Sequence, residues 1–256
     1  VNYRCLRNVS QTLSHFHVIA GPNGSGKTTF LEVPFLLGLF ANDGLESVWT
    51  ATRARAFEEL LFSGVGTTFQ LAVEAAIPES RQGGINSGSQ FRYLRYEVEI
   101  GRVVDAAGDE PKILSEALWL MPKSEETPRN QIVQLELEFP SLSKSDRRLT
   151  HKQALPGWRK IASKTVNGNS YFRSETSDWN FQIRNPEARS ALSTLPEDER
   201  FARANWFKRE LAERVQKIML RSEHMQSPSS PLKGGQFAVD GSNLPQIVRA
   251  LQRDPA

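Results

Sequence analysis

Gly21-Pro22-Asn23-Gly24-Ser25-Gly26-Lys27-Thr28-Thr29 is the stretch whose residue types and spacing specify a chemistry most directly. Gly21, Gly24, Gly26, Lys27 and Thr28 satisfy G-x-x-x-x-G-K-[ST] without a mismatch. Such a loop must turn several backbone N–H groups into one concavity, and glycines allow this because they tolerate positive φ and close approach. The helix that follows aims its positive end at the same point. On this reading the backbone from Gly21 to Thr29 cradles phosphates, Lys27 reaches the β- and γ-phosphates, and the Thr28 hydroxyl holds Mg²⁺. The motif implies a nucleoside triphosphate site.

The elements that must position this loop are also suggested by pattern. Phe16-His17-Val18-Ile19-Ala20 reads as a buried strand leading in. Residues 27–40, apolar nearly all round, read as a buried helix leading out, with Pro34 expected to kink or end it. Asn42-Asp43-Gly44 signals a turn, and Arg53 to Phe62 a short helix. Phe69–Glu74, Tyr96–Ile100, Ile113–Leu120 and Ile132–Phe139 read as strands, three of them alternating acidic and aliphatic residues, which predicts an antiparallel sheet with one wet face. Loops are expected at Gly83–Ser89 and at Asp105–Pro111. Residues 141–195 are polar and weakly periodic. Thr194 and Glu197 form a capping box ahead of an amphipathic helix to about Arg221, then a Ser/Pro/Gly linker and a final helix from Gly241 to Leu251.

The chain has 256 residues, 39% hydrophobic and 24% charged, enough to bury a core in one large domain or two modest ones. No apolar run approaches a membrane span, and one cysteine, Cys5, excludes an internal disulfide framework and fits the cytoplasm. Cys5 is expected to be a buried apolar residue rather than a nucleophile. His15 and His17 could share a strand face, though ordinary strand histidines fit them better than a metal pair. The net charge of +3 is uneven: residues 1–143 hold 12 Lys/Arg against 17 Asp/Glu, and residues 144–233 hold 18 against 10. The second block could present a basic face to nucleic acid or be a solvated region of mixed charge. Because the chain begins at Val1 and stops in mid-pattern, it is expected to be part of a longer protein.

Asn2-Tyr3-Arg4-Cys5-Leu6, followed by Gly21 to Glu32, resembles the opening of the SMC/RecF/OLD-type ABC ATPases, the stand-alone AAA-like ATPases. Asp240-Gly241-Ser242-Asn243-Leu244-Pro245 is similar to a segment those proteins carry between their halves. The resemblance implies an α/β P-loop NTPase of ABC/SMC-head type, with an antiparallel β subdomain and a helical insertion. It divides the chain into an ATPase lobe (1–140), a basic helical insertion (141–235) and the lead into a second lobe (236–256). It implies ATP and Mg²⁺ as cofactors, a nucleotide contact from Arg4, and ATP sandwiched between two heads in a homodimer or higher homo-oligomer. DNA repair, DNA maintenance or anti-phage defence is the implied work, with DNA and a nuclease or other effector as possible partners and no membrane.

The sequence departs from that pattern in lacking a Walker B Asp-Glu strand and a signature motif. Val103-Val104-Asp105 with Asp109-Glu110 is interrupted by a turn and is rejected as Walker B. Leu232-Lys233-Gly234-Gly235-Gln236 imitates the signature of transporter-type cassettes, but Lys233 stands where a Ser should be. A transporter-type cassette and a nucleotide-gated sensor without turnover are the competing readings.

Overall fold

Six strands, β1 (Thr68–Ala76), β2 (Tyr93–Asp105), β3 (Gly108–Met121), β4 (Arg159–Thr165), β5 (Asn169–Arg173) and β6 (Asn180–Arg184), form one sheet in sequence order. Every neighbouring pair is antiparallel. The computed structural model describes residues 1–82, 90–105, 108–124, 149–226, 228 and 237–253. The predicted strand Ile132–Phe139, the loop Gly83–Ser89 and the signature-like Leu232–Gln236 lie outside those residues. The chain divides into two units, Val1–Ala212 and Glu213–Ala256.

In the first unit, alternation along β2 sends Leu94, Tyr96, Val98 and Ile100 to one face, where all four are buried. Helix α1 (Lys27–Asp43) covers this face with Leu36, Leu37, Phe40 and Ala41, and the Phe40 ring lies 6.5 Å from Tyr96. Burial of that stripe stabilises α1 against the hydrogen bond that Pro34 cannot make. The helix therefore runs through Pro34 to Asp43 instead of ending there. Gly44 (φ 94°) closes it, as the turn signal predicts. A short helix α2 (Leu45–Thr52) follows, ended by Arg53 in a left-handed conformation (φ 53°). The helix expected from Arg53 to Phe62 is reduced to 3-10 turns at Phe57–Leu60 and Phe62–Gly64.

The other face of the sheet is covered around β2 and wet only over β5 and β6. Glu97, read as solvent-facing, is 1% exposed. Its carboxylate accepts from Trp119 Nε1 (2.7 Å), the His151 backbone N–H (2.7 Å) and Arg95 Nε (3.0 Å). Arg95 also donates to Glu74 Oε1 at 2.6 Å. Buried charges persist when they are paired and hydrogen-bonded, which the alternation of acids and aliphatics cannot reveal. Asp105–Pro111 is also tighter than the expected loop, since β2 runs to Asp105 and β3 restarts at Gly108.

Residues 159–184, within the stretch read as weakly periodic and helical, are the strands β4 to β6. The four-residue helix α3 (Glu79–Gln82) follows β1, and the helix predicted from Thr194 to Arg221 is shortened to α4 (Ala202–Arg209), followed by a wide turn at Glu210–Arg214. The entry to α4 is capped by other residues than Thr194 and Glu197. Asp198 accepts from the Arg200 backbone N–H, and buried Glu175 accepts from those of Arg203 (3.2 Å) and Ala204 (2.8 Å). A carboxylate brought from another segment satisfies orphan helix donors as well as a local cap does.

In the second unit, Met219 and Arg221 donate backbone hydrogen bonds to Val239 and Asp240. Helices α5 (Ser222–Gln226) and α6 (Leu244–Arg253) flank this pairing, the latter starting where the Gly241–Pro245 signal predicts. His224 Nδ1 lies 2.7 Å from Asp240 Oδ2.

Candidate functional site

The glycine loop runs over the surface and ends on Gly26, the residue before α1. Gly24 (φ 82°) and Gly26 (φ 87°) both adopt left-handed backbone, which only glycine takes at low cost. Gly26 is held closely as well: a Cβ there would lie 3.0 Å from Cys5 Sγ and 3.1 Å from Leu6 Cδ2. The Lys27 ammonium bends back over the loop and donates to the carbonyls of Gly21 (2.7 Å) and Pro22 (2.6 Å), with Ser25 Oγ at 3.4 Å. Gly21, Pro22, Asn23, Gly24 and Ser25 are exposed, Thr28 is exposed in the first turn of α1, and Thr29 is partly covered. The structure therefore brings Gly21 to Thr29 together as one exposed loop crossed by the Lys27 ammonium.

The lead-in differs from expectation. Residues 16–20 form no strand, and Phe16 and Val18 are 82% and 71% exposed. A strand needs a hydrogen-bonded neighbour, and none among the described residues runs beside this segment. His15 and His17 are exposed on the same irregular stretch, and no group of three or more His, Cys, Asp or Glu able to hold a metal occurs among the described residues.

What anchors the loop is the pentad before it. Asn2 (φ 56°) and Arg4 (φ 47°) fold Val1–Leu6 into a tight turn rather than an extended strand. Tyr3 pairs with Leu6 and Leu61, and Val1 and Gln70 exchange backbone hydrogen bonds that tie the turn to β1. Arg4 donates to Glu32 Oε2 on α1 (2.9 Å) and to the Thr52 carbonyl (2.9 Å), so the candidate nucleotide contact is at the same time a strut across α1 and α2. Cys5 is exposed, not buried, and its thiol donates to Thr29 Oγ1 at 3.4 Å. Neither the Arg4–Glu32 pair nor the Cys5–Gly26 contact has a sequence signal, because each joins residues more than twenty positions apart.

A family described as "AAA domain, putative AbiEii toxin, Type IV TA system" matches residues 16–251. Neither curated proteins nor solved structures gave a match. No helix among the described residues is long and apolar enough to cross a membrane. With the loop geometry and a match over most of its length, the chain belongs to this AAA family of P-loop ATPase-type, nucleotide-binding domains.

Proposed function

We propose that the chain binds ATP with Mg²⁺ in the Gly21–Thr29 loop and works as one lobe of an SMC/RecF/OLD-like ABC head. The observation that carries this reading is the Lys27 ammonium held across the loop by the Gly21 and Pro22 carbonyls. That cation and the left-handed backbone of Gly24 and Gly26 fit a triphosphate. Lys27 would exchange its carbonyl partners for phosphate oxygens, Thr28 would offer its hydroxyl to Mg²⁺, and the N–H groups of Pro22's neighbours through Thr29 would hold the chain of phosphates. Bound MgATP supplies the phosphoanhydride bond whose cleavage would reopen a dimer of heads. Arg4 would reach the nucleotide only with donors not engaged by Glu32 and Thr52.

On this reading residues 1–140 are the ATPase lobe, 141–235 an insertion containing strands as well as helix, and 236–256 the lead to a second lobe supplying the hydrolytic glutamate. The cytoplasmic task would be DNA maintenance or phage defence, and the family description adds a toxin of a toxin–antitoxin pair as a form that defence could take. Lys27→Ala tests the core of the reading. Loss of charged hydrogen bonds worth about 1.5–3 kcal/mol should weaken MgATP binding by roughly tenfold to a hundredfold in equilibrium titration. Unchanged affinity would sink it.

A further inference from the structure

The sheet is electrically divided along its length. Strands β1 to β3 carry seven carboxylates and three cations, whereas β4 to β6 carry five cations, Arg159, Lys160, Lys164, Arg173 and Arg184, and no carboxylate. Alternation in β5 buries Ser170 and Phe172 and turns Asn169, Tyr171 and Arg173 outward. Their partners across the ladder are Arg184, Gln182 and Asn180, all exposed. Tyr171 is 41% exposed in the middle of this face. The Arg184 guanidinium makes no ion pair or hydrogen bond among the described residues. Arg173 donates to Asp178, which is itself 88% exposed.

We propose that this outer face of β5 and β6 binds single-stranded nucleic acid, with Tyr171 stacking on a base and Arg173 and Arg184 meeting phosphates. This deepens the nucleic-acid part of the function proposed above and rests on it. A sheet face with an open aromatic and flanking guanidinium groups suits unstacked bases, whose π faces a duplex keeps hidden. The amides of Asn169, Asn180 and Gln182 add donors and acceptors for base edges. Trp179 does not share this role: it lies against Phe181 and Phe201 on the other side, and the Arg200 guanidinium covers its ring at 3.7 Å.

The test is fluorescence anisotropy of a labelled oligothymidylate with the full chain, in the absence of nucleotide, over a salt series. Binding should be tighter than to the corresponding duplex. Tyr171→Ala should weaken it roughly tenfold, while Tyr171→Phe, which keeps the ring, should retain it. Arg173→Gln with Arg184→Gln should reduce the slope of log affinity against log salt by about 1.4, which a merely structural role would not do. Circular dichroism and MgATP titration on each variant should match the parent. Lys27→Ala should leave oligonucleotide affinity intact, so failure of the ATP reading and failure of this one are distinguishable. Absent binding at low salt, equal affinity for the duplex, insensitivity to all these changes, or equal competition by polyglutamate would overturn the proposal.

Discussion

Tyr3 carries a hydroxyl into the core, 0% exposed, with no hydrogen-bond partner among the described residues. Its ring is well placed, 5.2 Å from that of Phe69 and 5.6 Å from the Arg4 guanidinium, and burial pushes the phenol above its usual range. The hydroxyl loses water without replacement while the ring contributes the packing, so Tyr3→Phe should stabilise the protein by about 1 kcal/mol. Urea unfolding measures this, and a destabilised variant would mean the hydroxyl has a partner. Gly26 is the reverse case, a residue defined by what it lacks. Gly26→Ala forces a left-handed alanine and pushes Cβ against Cys5 and Leu6, a strain of about 1–2 kcal/mol concentrated at the phosphate loop. MgATP affinity should fall by roughly tenfold, and the melting temperature by roughly 2–8 °C, the shift that this strain produces in a chain of such size. An unchanged affinity would mean the loop can rearrange without the Gly26 geometry.

Elements in this fold are held at their ends by carboxylates from distant parts of the chain. Glu116, buried in β3, accepts from Tyr96 Oη (2.8 Å), Ser190 Oγ (2.6 Å) and the backbone N–H groups of Ala191 (2.7 Å) and Leu192 (3.1 Å), fastening the turn at Leu192–Thr194 to the sheet. Glu175 does the same for α4. Burial raises the Glu175 carboxyl from its ordinary 4.5 to about 7, against the lowering effect of its two backbone donors. The native state therefore keeps a proton that the unfolded chain releases above about pH 4.5. Its stabilisation is complete below that pH, is lost as pH rises to about 7, and amounts to about 3 kcal/mol. Burial also raises Glu116, which adds a slope of the same sign, so Glu175→Gln should flatten only part of the pH–stability profile. Denaturant titrations between pH 4.5 and 7.5 measure both slopes, and identical profiles would remove Glu175 from the account. The same two carboxylates show why element ends were hard to read. β1 and β2 were legible from alternation, because Phe69, Leu71, Leu94, Tyr96, Val98 and Ile100 recur at every second position and are buried. The end of α4 and the wet-looking face were not, because Glu175, Glu97 and Arg95 find partners that no local pattern records.

For the whole molecule, legibility ran in the opposite direction. The loop motif is contained in nine consecutive positions, so the left-handed backbone at Gly24 and Gly26 could be expected from sequence alone. Its supports, Arg4–Glu32 and Cys5–Gly26, could not be, because folding creates those contacts. Phe16 and Val18 show the limit of composition: an apolar run feeding a P-loop reads as a strand, yet pairing requires a neighbour that the described residues do not provide. The loop, its anchoring turn, α1 and the sheet all belong to the unit Val1–Ala212, so occupancy of the loop must be felt as stability of that unit. At MgATP one hundredfold above its dissociation constant, linkage adds about 2.7 kcal/mol to the native state. Thermal unfolding of the chain should shift upward with MgATP, and Lys27→Ala at the same MgATP should cut the stabilisation to about 0.4–1.4 kcal/mol. Sedimentation under the same conditions separates the two nucleotide-dependent readings. A sandwich of heads predicts that MgATP doubles the mass and that Lys27→Ala lowers the share of dimer. A sensor without turnover predicts the same thermal shift at unchanged mass. A thermal shift undiminished by Lys27→Ala would overturn both, because the stabilising ligand would then be bound elsewhere than in the loop that this lysine spans.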